Sequence, residues 1–246
     1  MSLLEVRGLT KVYSGLTAVS GVDFSVRDGS ITALIGPNGA GKTTCFNLIA
    51  GATRCTAGRV MFDAQDITGM APEQACERGI ARTFQIVRPL TGMSVLENVV
   101  VGALLREHSV AAAERQAMAV LERIGLGAKA HSSASALALP ERKLLELAKA
   151  LATRPRLLML DEVMAGLRPT EADGIAQVLR DLNADGLTIL LIEHVMRVVM
   201  ALAQTIVVLH HGEKIAEGGP ERIVNDPKVI ECYFGAGIPA TMEPVP

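Results

Sequence analysis

Apolar and polar residues alternate along the beginning of the chain. Residues 3–12 and 22–26 place apolar side chains on one face of an extended backbone, which predicts half-buried strands. Asp28 and Gly29 then predict a tight turn. Residues 31–35, Ile-Thr-Ala-Leu-Ile, form a continuous apolar run that is typical of a strand buried on both faces. The amino-terminal part is therefore expected to consist of short β segments.

A helical pattern extends from residue 93 to residue 151. Ser94 and Glu97 have the spacing of a capping box, and residues 111–124 repeat apolar side chains every three or four positions. Pro140 predicts the start of a third helix, because proline is favoured in a first helical turn. Short apolar runs separated by helical stretches then predict strands of a parallel sheet: residues 156–160, 187–192 and 204–209.

The composition excludes several classes of protein. Of the 246 residues, 49% are hydrophobic, and 24 Lys and Arg against 26 Asp and Glu give a formal net charge of −2. Without an excess of basic residues, nucleic acid is not expected as the main partner. The chain has no run of about 18 uninterrupted apolar residues and no export signal at its start, so we expect a cytoplasmic protein. The 4 cysteines lack paired spacing, which argues against a zinc site and a disulfide scaffold.

A phosphate-binding loop is the clearest motif. Residues 36–44 match G-x-x-x-x-G-K-[ST] between the strand at 31–35 and a helix expected over 43–50, which Gly51 would end. A glycine turn without function is the alternative, but the complete match in this context favours phosphate binding. Lys42 is expected to reach the β- and γ-phosphates, and the Thr43 hydroxyl to bind Mg²⁺. The nucleotide-binding residues would be Gly36, Pro37, Asn38, Gly39, Ala40, Gly41, Lys42, Thr43 and Thr44.

Two further strands end in residues suited to chemistry. Asp161 and Glu162 follow an apolar strand, where Asp161 is expected to hold Mg²⁺ and Glu162 to act as a general base toward water. Alone, this acidic pair could simply open a loop. His194 follows the strand at 187–192, at the edge of the sheet where a γ-phosphate could accept its hydrogen bond. His210 and His211, in an expected turn, are interpreted as ordinary surface or core residues.

Together these motifs resemble the nucleotide-binding subunit of an ATP-binding cassette (ABC) transporter. The resemblance covers nearly the whole chain and implies an α/β fold: a P-loop NTPase core with a parallel sheet, an antiparallel β subdomain near the N-terminus and an inserted helical lobe. Several segments are similar to the subfamily that serves branched-chain amino acid importers and related amide or urea importers: residues 81–85, 93–99, 193–196, 215–218 and 226–230.

The resemblance assigns roles to three more residues. It implies that Gln85 links Mg²⁺ to the helical lobe during catalysis, that Tyr13 stacks on adenine and that His194 is a switch histidine. Tyr13 also offers a π face at a strand edge, although ordinary strand packing is the alternative. The whole chain is expected to be one cassette, with a core formed by residues 1–86 and 156–235, a helical lobe at 87–155 and an irregular tail at 236–246.

Two segments depart from the family pattern. The Leu-Ser-x-Gly-Gln signature falls here on Leu137, Ala138, Leu139, Pro140 and Glu141, so that both its Ser and its Gly are missing. Residues 163–168 lack the usual Pro and the terminal Asp or Asn. In this family both segments contact the ATP that is bound by the partner subunit.

The resemblance implies an ATP-hydrolysing subunit of an importer, using ATP and Mg²⁺, for branched-chain amino acids or related amides. Its expected partners are a second cassette, preferably a different chain, two integral-membrane permeases and, indirectly, an extracytoplasmic solute-binding protein. It would lie at the inner face of the cell membrane. The alternatives are a soluble cassette ATPase outside transport, a GTPase, for which no Asn-Lys-x-Asp segment is present, and an ATP-binding scaffold without turnover, against which Glu162 and His194 argue.

Overall fold

Two β-sheets organise the chain in a computed structural model, which describes residues 1–83 and 88–234. In chain order the strands are β1 (Ser2–Tyr13), β2 (Leu16–Arg27), β3 (Ile31–Ile35), β4 (Ala57–Phe62), β5 (Gln65–Asp66), β6 (Ile80–Arg82), β7 (Leu157–Asp161), β8 (Thr188–Ile192), β9 (Thr205–His210) and β10 (Glu213–Gly218). The α-helices are α1 (Lys42–Ile49), α2 (Pro72–Glu77), α3 (Val95–Ala103), α4 (Val110–Arg123), α5 (Leu139–Ala152), α6 (Pro169–Ala184), α7 (Met196–Leu202), α8 (Pro220–Val224) and α9 (Pro227–Phe234).

The central sheet has six strands in the order β10-β9-β3-β8-β7-β6. Its strands pair in parallel except β10, which runs antiparallel to β9. Every residue of β3, β7 and β8 is buried, which explains their continuous apolar sequences. Because the strands are parallel, the carboxyl ends of β3, β7 and β8 lie at one edge of the sheet, and this brings the predicted site segments together.

The amino-terminal sheet is antiparallel, with the strand order β2-β1-β4-β5. Its alternating sequence reflects one face packed against the core, where Leu4, Val6 and Leu9 are buried. The turn expected at Asp28 and Gly29 is present, and Gly29 has a φ of 68°. This turn leads from β2 of one sheet to β3 of the other.

Three helices, α3 to α5, lie between β6 and β7 and share an apolar cluster of their own. The expected capping box begins α3: the Glu97 N–H donates to Ser94 Oγ at 3.1 Å, and the Ser94 N–H donates to Glu97 Oε2 at 2.7 Å. Pro140 is the second residue of α5, as expected for the first turn. The division of the chain into core, lobe and tail remains a prediction, and the tail at 236–246 lies outside the described residues.

The structure corrects some boundaries. Each of the strands predicted at 156–160, 187–192 and 204–209 begins one residue later, as β7, β8 and β9. His210, expected in a turn, is therefore the last residue of β9, and the turn begins at His211, which has a φ of 48°. None of the described helices combines the length and the apolar character that crossing a membrane requires.

Candidate functional site

The loop between β3 and α1 is shaped by two glycines. Gly36 has a φ of 147°, and a Cβ there would lie 2.1 Å from the carbonyl oxygen of Leu209. Gly41 has a φ of 100°, and a Cβ there would lie 2.6 Å from the carbonyl oxygen of Ala18. No other residue fits either position without displacing backbone. The two glycines therefore let the loop pack closely against the backbones of β9 and β2.

Lys42 is the first residue of α1, and its side chain folds back over this loop. Its ammonium donates to the carbonyl oxygens of Gly36 at 2.7 Å and of Pro37 at 3.0 Å. Burial lowers the pKa of Lys42, while the negative charges of Glu162 and Asp161 act in the opposite direction. The two carboxylates of the 161–162 pair therefore lie within electrostatic range of the ammonium.

One cavity unites the glycine loop with Glu162. Its walls include residues 38–44 of the loop and the start of α1, together with Glu162. The start of β2 and the turn after β9 complete the lining with Leu16, Thr17, Ala18 and His211. These four residues carry no motif, and only the tertiary arrangement of the two sheets brings them to the site. His211, which sequence reasoning treated as an ordinary residue, is thus part of the cavity wall.

Asp161 is buried, with 3% of its surface exposed, and pairs with an arginine that the sequence did not single out. Arg82, at the end of β6, donates from Nη2 to Asp161 Oδ2 at 2.9 Å and from Nη1 to Asn47 Oδ1 at 2.6 Å. Burial raises the pKa of Asp161, and the Arg82 guanidinium opposes this shift. Arg82 therefore joins the end of β6 to α1 and to the end of β7.

The donor set suits Mg²⁺. Thr43 and Asp161 line one cavity between the core and the α3–α5 helices, where they present a hydroxyl and a carboxyl oxygen. Among the described residues, no cluster of three or more His, Cys, Asp or Glu could hold a metal on its own. Mg²⁺ in phosphate-transferring proteins is commonly held by one or two side-chain oxygens together with phosphate oxygens, and this arrangement fits that pattern. Gln85, the third predicted metal ligand, lies outside the described residues.

The backbone around Glu162 is unusual. Glu162 has a φ of 49°, the left-handed conformation that non-glycine residues rarely adopt. Its N–H donates to the carbonyl oxygen of Ile192 at 3.0 Å, which ties the end of β7 to the end of β8. Glu193, the residue after β8, is buried. His194 is exposed and is not among the residues that line the Glu162 cavity. The switch role of His194 remains a prediction.

Tyr13 lies at the end of β1 and is 41% exposed. The ammonium of Lys11 is 4.8 Å from the centroid of its ring. Tyr13 pairs across the sheet with Leu16, which lines the cavity, although Tyr13 itself is not among the lining residues. Its position next to the cavity is compatible with stacking on a base, and that role remains a prediction.

The degenerate signature forms the beginning of α5. Ala138 is the residue that precedes the helix and offers no side-chain cap, while its N–H donates to Glu141 Oε2 at 3.0 Å. Glu141 also pairs with Lys129, and these two contacts hold the pKa of the Glu141 carboxyl below its usual range. Leu139 is 44% exposed, and a Cβ at Gly166 would lie 3.5 Å from Leu139 Cδ2. The two segments that depart from the family pattern are therefore neighbours.

Comparisons with known proteins agree with this geometry. The family described as ABC transporter matches residues 19–165, and the family described as branched-chain amino acid ATP-binding cassette transporter matches residues 213–238. BraF of Pseudomonas aeruginosa, a high-affinity branched-chain amino acid transport ATP-binding protein, is 39% identical over 249 residues, covering 95% of this chain and 98% of the relative. LivG of Escherichia coli K12, with the same description, is 40% identical over the same shares of both chains.

Solved structures of two cassettes share the fold. A nucleotide-free ATP-binding cassette from an ABC transporter superposes with a TM-score of 0.87 at 35% identity, covering 96% of this chain and all of the other. The ADP conformation of another ATP-binding cassette gives a TM-score of 0.88 at 34% identity, covering 96% of this chain and 99% of the other.

Proposed function

This chain belongs to the ABC transporter family, and we propose that it is the ATP-hydrolysing subunit of an importer for branched-chain amino acids or related amides. The observation that carries the catalytic part is the single cavity shared by the phosphate loop and Glu162. The solute class rests on the likeness to branched-chain amino acid transport ATP-binding proteins along 95% of the chain.

The reaction is the hydrolysis of ATP to ADP and phosphate. The N–H groups of residues 38–44 and the Lys42 ammonium bind the phosphates and neutralise their charge. Glu162 accepts a proton from the attacking water while the water oxygen bonds to the γ-phosphorus. The bond between the γ-phosphorus and the bridging oxygen breaks, and its electrons remain on ADP. Thr43 and Asp161 would hold Mg²⁺, which when bound would supply further charge neutralisation at the phosphates.

The test of this proposal is phosphate release from Mg-ATP by the chain reconstituted with its partner cassette, with Glu162→Gln as the matched variant. Release by the wild-type complex but not by the variant complex supports an ATPase. Binding of ATP without release by either complex would instead favour a scaffold that senses nucleotide. The Glu162 variant is argued in full in the Discussion.

The permeases would dock on the face between the core and the α3–α5 helices. The cavity there is lined by Cys76, Arg88, Val101 and Gly102, among others, and Leu90 and Leu104 are apolar residues exposed nearby. An exposed apolar patch with a polar rim is the kind of surface that binds another protein. Since the ATP that drives transport is cytoplasmic, we propose that the chain lies at the inner face of the membrane.

Replacing Val101 by Asp should prevent this docking. Val101 is 50% exposed and lines the cavity, so a carboxylate there would have to be desolvated against the permease. We expect the variant to lose co-purification with co-expressed permeases from neighbouring genes. Val110→Asp is the matched control, because Val110 is 59% exposed at the start of α4 and is not among the cavity-lining residues. Equal recovery of the permeases with both variants would contradict this docking surface.

We further propose that the second cassette is a different chain and that the two ATP sites of the dimer are unequal. A signature Ser would offer a hydroxyl to the partner's γ-phosphate, but Ala138 has none, and Pro140 has no N–H. Glu141 accepts the Ala138 N–H and adds a negative charge at the helix start. This supports a weak composite site wherever α5 of this chain faces the partner's ATP. The alternative is that this sequence simply gives a stable helix start, which still contacts the partner's ATP through other backbone groups.

The asymmetry predicts unequal effects of equivalent mutations. Losing two phosphate contacts of about 1 kcal/mol each slows the weak site on the order of tenfold or more. In the reconstituted heterodimer, Glu162→Gln should therefore remove nearly all turnover, while the equivalent change in the partner should remove little. Equal losses from the two changes, or a functional homodimer with two equal sites, would contradict the proposal.

A further inference from the structure

Lys143 is a buried lysine that the ATPase mechanism does not use. It lies on α5, two residues after the signature segment, and only 4% of its surface is exposed. Its ammonium donates to the backbone carbonyl oxygen of Glu162 at 3.3 Å. Burial lowers the pKa of Lys143, and Glu193 is the carboxylate that opposes this shift most strongly, followed by Glu162. Burying an ammonium group costs desolvation free energy, so a buried lysine is expected only where specific contacts offset this cost.

Glu193 is the buried carboxylate whose charge acts most strongly on Lys143. It directly follows β8 and is 1% exposed. Glu193 Oε1 accepts a hydrogen bond from the N–H of Met164 at 2.9 Å, while within the described residues its Oε2 is buried and accepts none. Burial raises the pKa of Glu193, and the N–H of Met164 and then the charge of His194 oppose this shift. The negative charge of Glu193 in turn opposes the lowering of the Lys143 pKa.

These contacts hold the segment that carries Glu162 from several sides. The Glu162 N–H donates to Ile192, and the Glu162 carbonyl oxygen accepts from Lys143 and, at 3.1 Å, from the Ala165 N–H. The N–H of Met164, two residues later, donates to Glu193. The left-handed φ of 49° at Glu162 is a conformation that persists only where the surroundings enforce it. Of the groups named here, Lys143 is the one that reaches Glu162 from the α3–α5 helices.

We propose that Lys143 is a positioning residue for Glu162, which fixes the backbone of the general base and links it to the helix that carries the signature segment. The inference rests on the proposed role of Glu162 as the base. Its consequence is that α5 contributes in two directions: its first turn faces the partner's ATP, and its second turn holds the base of this chain's own site.

The first test is Lys143→Met, which keeps the length of the side chain and removes its donors. We expect kcat for ATP hydrolysis to fall about tenfold or more, because small displacements of a reacting group have effects of this size. The Kd for Mg-ATP should stay within about twofold, since Lys143 does not line the phosphate loop. Arg123→Gln is the matched control: it breaks an exposed ion pair with Asp185 that also joins the helices to the core, and kcat should not change.

A second comparison separates positioning from simple loss of stability. Lys143→Met alone removes a positive charge that interacts with the buried Glu193 carboxylate, which should lower the free energy of unfolding. Glu193→Gln keeps an acceptor for Met164 and removes that charge, so the double variant should recover the Tm. The kcat of the double variant should still be about tenfold below that of Glu193→Gln alone, because only the double variant lacks the contact from α5 to the Glu162 carbonyl, which in both variants keeps its bond from the Ala165 N–H.

A ratio near one between those two kcat values, or an unchanged kcat in a folded Lys143→Met variant, would overturn the positioning role. The proposed function fails in a different way, namely if Glu162→Gln itself hydrolyses ATP at the wild-type rate. The two failures are therefore distinguishable in one set of variants.

Discussion

Glu162→Gln is expected to stop ATP hydrolysis while leaving ATP binding intact. The amide keeps the shape of the side chain but cannot accept the proton of the attacking water, and removal of a general base lowers rates by about 10²–10⁴-fold. The hydrogen bonds to Ile192 and from Lys143 use the backbone N–H and carbonyl of Glu162, so these bonds survive the substitution. The variant should therefore accumulate as an ATP-bound, closed dimer with its partner cassette.

Phosphate release and size-exclusion chromatography with and without Mg-ATP measure the two halves of this prediction. Glu213→Gln is a suitable control, because Glu213 is exposed at the start of β10 and is not among the cavity-lining residues. A variant that stays monomeric under both conditions and releases phosphate normally would contradict the role of Glu162.

The buried strands were the most predictable part of the fold. β3, β7 and β8 are covered on both faces, so their sequences are continuous apolar runs, and such runs are visible without knowing the fold. The residues at their carboxyl ends or directly after them carry the chemistry, which is why the phosphate loop and the 161–162 pair could be located from sequence. Shorter elements such as β5 and β6 have too few residues for a periodic pattern and were not predicted.

The supporting residues of the site could not be predicted, because they act across long distances in the chain. Arg82 and Asp161 are 79 residues apart, and only the pairing of β6 with β7 makes them neighbours. Lys143 occupies a helical position that from sequence resembles any charged residue on an amphipathic helix. His211 likewise lines the cavity because β9 passes beside β3.

Lys42→Ala should remove most of the affinity for ATP. The ammonium lies 2.7 Å from the carbonyl oxygen of Gly36 and within the cavity-lining segment, so it is placed to meet the phosphates. A charge-assisted contact contributes about 1.5–3 kcal/mol, which corresponds to a loss of about ten- to a hundredfold in affinity. The chain should nevertheless fold, because burying the lysine is itself unfavourable, as the lowered pKa of its ammonium indicates.

Titration with a fluorescent ATP analogue measures the affinity, and thermal unfolding without nucleotide reports whether the variant is intact. Lys214→Ala, which removes an ammonium paired with Glu217 on β10, should bind as the wild type does. If Lys42→Ala bound ATP as tightly as that control and retained turnover, the glycine loop would not be the phosphate site.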